Sequence, residues 1–355
     1  MNRQSNSIFL LLLLFFLCGN TLAQSDPQPS QFYASSIYLN PAMSGLEHNF
    51  AVGGIYRIQN VGIVPYQIGL INAIIPYHDK GETNYHKGGF GVNVWNARSG
   101  DGTSNHLGAS LNAAYNLHIA ATTAQNLTFG VQIGFIQRQY SNVSNYQFGS
   151  QYNEAVGYDA SIPSDALFSG TNTLTKIVPD ITAGILYYYN AGRDVYAPGL
   201  SAYIGVVGAH LNQPNAAFVG GQTSVIPILF RLHGGIEVHV AKRVNMSPNF
   251  LFTTQSQFSF AMAGLNFTYL FPDHDEFLKP TRFLFGGAYR FDDAAVGLVG
   301  FGSKYYNLGF SYDFGVGSLT QSFGKIVSAY EVSLKTSIHI GSKTKKSSKF
   351  HTPLM

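Results

Sequence analysis

Arg231, His233, Glu237 and His239 form the densest set of side chains in this sequence that could do chemistry. Two histidines and a glutamate are groups that ligate a divalent metal or pass a proton. Their spacing argues against a shared ion. On a strand, same-face neighbours two apart lie ~7 Å from each other and residues four apart about twice that. One ion is then held only with help from another strand. With Arg231 among them, the four read instead as a charged network along one face, where pairing offsets the cost of confinement.

Other candidates are weaker. Asp273, Asp275 and Glu276, between Pro272 and Pro280, carry the oxygens that calcium takes, but lack the glycine and closing glutamate of a calcium loop. They read as a solvated turn, and Asp292-Asp293 as a hairpin turn. No Gly-x-Ser-x-Gly elbow occurs in the sequence, which removes one common hydrolase signature. Lys343, Lys345, Lys346 and Lys349 sit in a Ser/Thr-rich tail that reads as a solvated end. We expect no enzyme, with no catalytic, cofactor-binding or metal residues.

The elements that position these side chains are strands. From Tyr330 to Ile340 the residues Tyr330, Val332, Leu334, Thr336, Ile338 and Ile340 share one face, and Glu331, Ser333, Lys335, Ser337 and His339 the other. The same alternation runs through 107–119, 127–135, 228–240, 283–291 and 306–314. Weaker runs lie near 49–58, 66–75, 88–97, 178–190, 199–212, 245–256, 258–270 and 294–302. These make about fourteen strands, each near the 9–11 residues that a tilted strand needs to cross a bilayer. Charged residues are only 11% of the chain, beside 38 Gly, 22 Tyr and 27 Phe, against about 25% charged in ordinary soluble domains. The reading is an all-β, transmembrane antiparallel β-barrel with both termini periplasmic. Tyr187, Tyr188, Tyr189, Tyr203, Tyr269, Tyr289, Tyr305 and Tyr306 are read as its interfacial girdle.

The ends set the compartment. Residues 1–23 read as a signal peptide, with Arg3, an apolar stretch from Ile8 to Leu17 and small residues before a cleavage site near Ala23. The single cysteine, Cys18, lies inside it, so the mature chain has no disulfide and no thiol chemistry. A formal net charge of +3 with no basic region before the tail argues against nucleic acid. The expected order is 1–23 signal peptide, 24–48 N-terminal periplasmic or plug segment, 49–341 outer-membrane barrel and 342–355 Lys-rich tail. Longer loops, chiefly about Tyr140 to Lys176, are expected outside. The 25–45 segment, with Pro27, Pro29 and Pro41, joins a sheet poorly. We expect it to fold against or into the periplasmic mouth.

That segment also carries a resemblance. Asp26-Pro27, then Ser30-Gln31-Phe32-Tyr33, then Asn40-Pro41-Ala42 and Gly45 resemble the opening of the PorP/SprF family of type IX secretion outer-membrane proteins of Bacteroidetes. Pro29 stands where the family usually has Phe. Further matches follow in order: Tyr56-Arg57, Gly89-Phe90-Gly91, Gly130 to Arg138, Pro179 to Gly184, His210 to Asn215, Gly287 to Arg290, Ser311-Tyr312-Asp313 and Tyr330-Glu331. The resemblance implies a non-enzymatic barrel of the secretion and gliding machinery. Its implied partners are a surface adhesin with a type IX C-terminal domain, periplasmic ring and lipoprotein components, and outer-membrane lipid. Gln31, Phe32, Tyr33, Asn40 and Pro41 are the candidate partner-binding or plug residues. Arg231, His233, Glu237, His239, Glu331 and Lys335 are the candidate lumenal network. The competing reading is a pore or conduit for small or hydrophobic molecules.

Overall fold

The computed structural model describes residues 26–61, 64–78, 86–100, 103–119, 125–141, 151–153, 157–159, 161–162, 173–190, 200–218, 221–272, 280–303, 305–317 and 327–338. The tail, the acidic group near 273–276 and His339 lie outside this set.

The wall begins with β1 (Phe50–Val61), β2 (Val64–His78), β3 (His86–Ser99), β4 (Ser104–His118) and β5 (Gln125–Ser141). Two short strands follow, β6 (Tyr152–Asn153) and β7 (Gly157–Tyr158), paired only with each other. The wall resumes with β8 (Thr173–Asn190), β9 (Leu200–Ala209), β10 (Leu229–Ala241), β11 (Val244–Gln255) and β12 (Phe258–Leu270). It ends with β13 (Arg282–Arg290), β14 (Ala294–Gly302), β15 (Tyr306–Gly315) and β16 (Ser328–Ile338). All but β6 and β7 form one closed antiparallel barrel of fourteen strands, with β16 paired back to β1 from Phe50↔Ile338 to Asn60↔Ser328. Closure leaves no sheet edge in hydrocarbon, which a membrane requires.

Side-chain parity matches that expected. On β16, Tyr330, Val332, Leu334 and Ile338 face outward and are exposed, whereas Glu331, Ser333 and Lys335 are buried in the lumen. On β5, Phe129, Val131, Ile133 and Phe135 are exposed on the outer wall. Two tyrosines depart from the expected girdle: Tyr188 and Tyr203 are buried and point inward, packed with Phe32, Tyr33 and Leu39. Three consecutive tyrosines, 187–189, cannot share a face, so at least one had to turn into the lumen.

Both ends of the wall lie on one rim, which we term inner. Long connections, 142–172 and 210–228, fall on the opposite, outer rim, the usual arrangement of membrane barrels. The outer connection after β5 is shorter than expected because β8 starts at Thr173 and pairs with Ser141.

The lumen is filled by the residues ahead of β1. They form a 3-10 turn (Phe32–Ser35), one α-helical turn (Ser36–Leu39) and a second 3-10 turn (Pro41–Gly45). Pro41 pre-sets the backbone at the start of its turn, and the Asn40 side chain accepts from the Ala42 N–H at 2.9 Å.

Candidate functional site

The plug is gripped through both its backbone and its side chains. At its first turn the two Glu331 oxygens accept from the N–H groups of Ser30 (2.8 Å) and Gln31 (2.7 Å). The Ser30 hydroxyl donates to Asp313 at 2.7 Å and accepts from Arg57 at 2.7 Å, with Arg290 also on it. Arg57 pairs with Asp313 at 2.8 Å and Glu331 at 3.5 Å, and Arg290 with Asp313 at 3.1 Å. Two guanidiniums and two carboxylates therefore balance inside the lumen, the condition under which buried ions are tolerated.

At the end of the helical turn the chemistry inverts. Arg231 donates to the carbonyls of Tyr38 (3.0 Å) and Leu39 (2.8 Å), groups a helix end leaves open. Its guanidinium lies 5.5 Å from the Tyr38 ring centre. The Asn40 amide donates to the Ile185 carbonyl at 3.2 Å and to His233 Nε2 at 3.0 Å. Since the amide is the donor, His233 carries its proton on Nδ1. Below, Asn112 donates to the Pro41 carbonyl at 3.0 Å and Asn116 to the Gly45 carbonyl at 2.7 Å. Lys335 pairs with Glu47 where the plug leaves for β1. Close approach is needed along this path. A Cβ on Gly130 would strike the Pro41–Ala42 backbone, and one on Gly184 the Asn40 amide.

The six residues expected to share a network stand in three places. Arg231 and His233 hold the Tyr38–Asn40 stretch, and Glu331 and Lys335 hold Ser30–Gln31 and Glu47 from the opposite wall. Glu237 and His239 meet at Asn245, at 3.3 Å and 2.9 Å, toward the inner rim. The candidate plug residues Gln31, Phe32, Tyr33, Asn40 and Pro41 are all buried.

The plug reaches further than the inner mouth. Asp26 lies in the outer half, 3.1 Å from His210 Nε2, while His210 Nδ1 is 2.7 Å from Asp180. Burial alone lowers an imidazole pKa, but Asp26 and Asp180 outweigh it and push His210 up to about 10. The imidazolium ties plug, β8 and the β9 exit together. Beside it, Asn212 accepts from the Ile181 N–H at 3.1 Å and donates to the Pro179 carbonyl at 2.8 Å. The 210–228 connection then folds over the outer mouth, burying Ala216 and Ile226 against Ile55, Leu70, Trp95 and Val178. Sequence reasoning missed Arg57, Asp313, Arg290 and the Asp26–His210–Asp180 clamp. The available signal was a scarce charge at inward parity, as at Arg57.

This arrangement holds the plug segment inside the lumen from Ser30 to Glu47. Among the described residues no three His, Cys, Asp or Glu side chains are placed to hold a metal.

The sequence profile of the type IX secretion system membrane protein PorP/SprF matches residues 21–336. The chain belongs to the PorP/SprF family. No curated protein matches it. Solved structures similar to this PorP/SprF barrel include the Ralstonia pickettii toluene transporter TbuX, at 12% identity and TM-score 0.45 over 92% of this chain and 100% of that one. The Pseudomonas putida toluene transporter TodX follows at 9% and 0.40, over 85% and 92%. The β domain of the Bordetella autotransporter BrkA stands at 10% and 0.41, over 82% and 99%. The segments quoted above for the family resemblance converge in space. The opening Asp26, the Pro179–Ile181 stretch and His210–Asn212 meet at the clamp, and Arg57, Asp313 and Glu331 from three further segments meet at Ser30.

Proposed function

We propose that this chain is a non-enzymatic, plugged outer-membrane barrel of the type IX secretion machinery. It supports secretion or surface attachment of a partner adhesin carrying a type IX C-terminal domain. The observation that carries this reading is the filled lumen. A segment bonded to both walls from Asp26 to Glu47, under an outer connection folded over the mouth, leaves binding at the rims and outer wall as the way to act. The plug argues against the competing reading, a standing pore. Periplasmic components of the machinery are the natural contacts of the inner rim, where the plug enters.

Deletion of the gene followed by surface and secretome proteomics tests the proposal. Loss of one large adhesin with other exported proteins unchanged is expected, and an unaltered surface proteome would overturn it. A steady, large single-channel conductance from the purified barrel would favour the pore.

A further inference from the structure

We infer that the outer edge of β8, from Thr173 to Ile177, is a docking edge for one extended strand of another polypeptide, running antiparallel to β8. The inference rests on the function proposed above and adds where the exported partner binds.

The wall is uneven here. β8 pairs with β5 along its whole length, to Ser141↔Thr173, but with β9 only as far as Ala183↔Gly208. Beyond Gly208 and Ala209 the chain turns off at His210, whose φ is 57°, an uncommon conformation for a residue with a side chain. The clamp to Asp180 and Asp26 holds that turn, and the connection enters the mouth instead of continuing along β8.

The edge that this diversion exposes is closed up to a definite level. The Ile181 carbonyl accepts from Leu211 at 2.9 Å, its N–H is taken by Asn212, and Pro179 has no N–H to leave unpaired. Ladder groups repeat every second residue, so Ile177, Thr175 and Thr173 present N–H and C=O to the same side. Among the described residues nothing bonds to them there.

That level coincides with the membrane boundary. On the outer wall of β5, Phe129, Val131, Ile133 and Phe135 give way to Gln137, Gln139 and Ser141, which pair with Ile177, Thr175 and Thr173. An 18-residue strand tilted ~45° rises about 40 Å, against an apolar band of about 25 Å. Sealed groups thus lie at or below the boundary, where an open edge is forbidden, and those that no described residue bonds lie above it.

What fits is an extended polypeptide. Alternating backbone donors and acceptors are the template for strand addition, and exposed Ile177 on the edge with Leu211 at its closed end suit apolar side chains on the incoming strand. A second copy of this chain fits less well. Two barrels in one membrane run β8 in the same sense, so their edges meet only as a parallel pair, the less stable ladder.

The test places a photo-crosslinking residue at Thr175 and, as control, at Ile133, equally outward but laddered on both sides. Ile177→Pro removes one edge N–H without touching the β5 ladder. We expect adducts with an exported protein from position 175 alone, and about a tenfold fall in that protein at the surface for Ile177→Pro. Barrel abundance and heat-modifiable migration stay unchanged. Adducts only from other sites, adducts between two barrels, or a silent Ile177→Pro would each overturn the docking edge while leaving the proposed function standing. An unaltered surface proteome on deletion would instead remove that function.

Discussion

Arg57 on β1 and Glu331 on β16 stand opposite each other across the seam that closes the barrel, and both hold Ser30 of the plug. The seam joins residues 274 apart in the chain. It forms only where the last strand meets the first. Closing it brings two charges into the lumen, and the plug supplies hydrogen bonds to both. Barrel closure and plug docking in this way share the same contacts.

Removing one charge of such a buried set should cost more than removing a matched pair. Glu331→Leu leaves Arg57 with less compensation and takes away both acceptors of the plug's first turn. We expect a loss of about 3–5 kcal/mol. Arg57→Leu with Glu331→Leu leaves Arg290 and Asp313 as a balanced pair, so the double variant should be milder than the sum of its parts. Denaturation midpoints in detergent for the four proteins of the cycle check this.

The plug's close contacts predict how to unseat it. Gly130→Leu puts a side chain where the Pro41–Ala42 backbone passes. The wild-type lumen should pass no steady current, whereas this variant should conduct. In parallel, a cysteine in place of Ser36, a buried plug residue, should label slowly in the wild-type background and rapidly in Gly130→Leu. Planar-bilayer recording and maleimide labelling report the two outcomes.

The wall was legible because a strand's two faces read directly from alternate residues, although β2 and β14 are apolar on both faces, with Ile68, Leu70, Ile74, Val296 and Leu298 buried in the lumen. Parity also placed Glu331, Lys335, Arg231 and His233 inside. It could not say which of them meet, because pairing depends on the register and on how the lumen is crossed. Glu331 and Arg231 thus looked alike, yet one grips N–H groups and the other carbonyls of the same plug. In sequence, Asp26 belongs to an opening motif expected near the inner mouth. Its burial beside His210 depends on the plug running the length of the lumen, which no local pattern encodes.

The outer clamp gives an alkaline signature. His210 is charged in the folded state to about pH 10, whereas unfolded histidine titrates near 6.5. Its contribution is complete below about pH 6.5 and is lost as pH rises through about 10. Thermal midpoints measured from pH 6.5 to 10.5 should fall more steeply for the wild type than for His210→Gln. The difference between the two curves isolates the clamp from tyrosines and lysines that titrate in the same range.

The inner rim should respond with the opposite sign. His48, which joins the plug to β1, lies with His86 at 4.4 Å between ring centres and His78 at 6.4 Å, and His78 lies 5.0 Å from His86. Burial first, then the neighbouring imidazoles, hold the His48 pKa well below the ordinary range. The unfolded chain then binds the extra proton below about pH 6.5, so stability present above that value is lost as pH falls. His48→Gln keeps the backbone carbonyl that His78 contacts at 3.1 Å but removes the ionisable ring. Between pH 7.5 and 5 its thermal midpoint should drop less than the wild type's. An equal drop in both proteins would mean that His48 is not the group protonated.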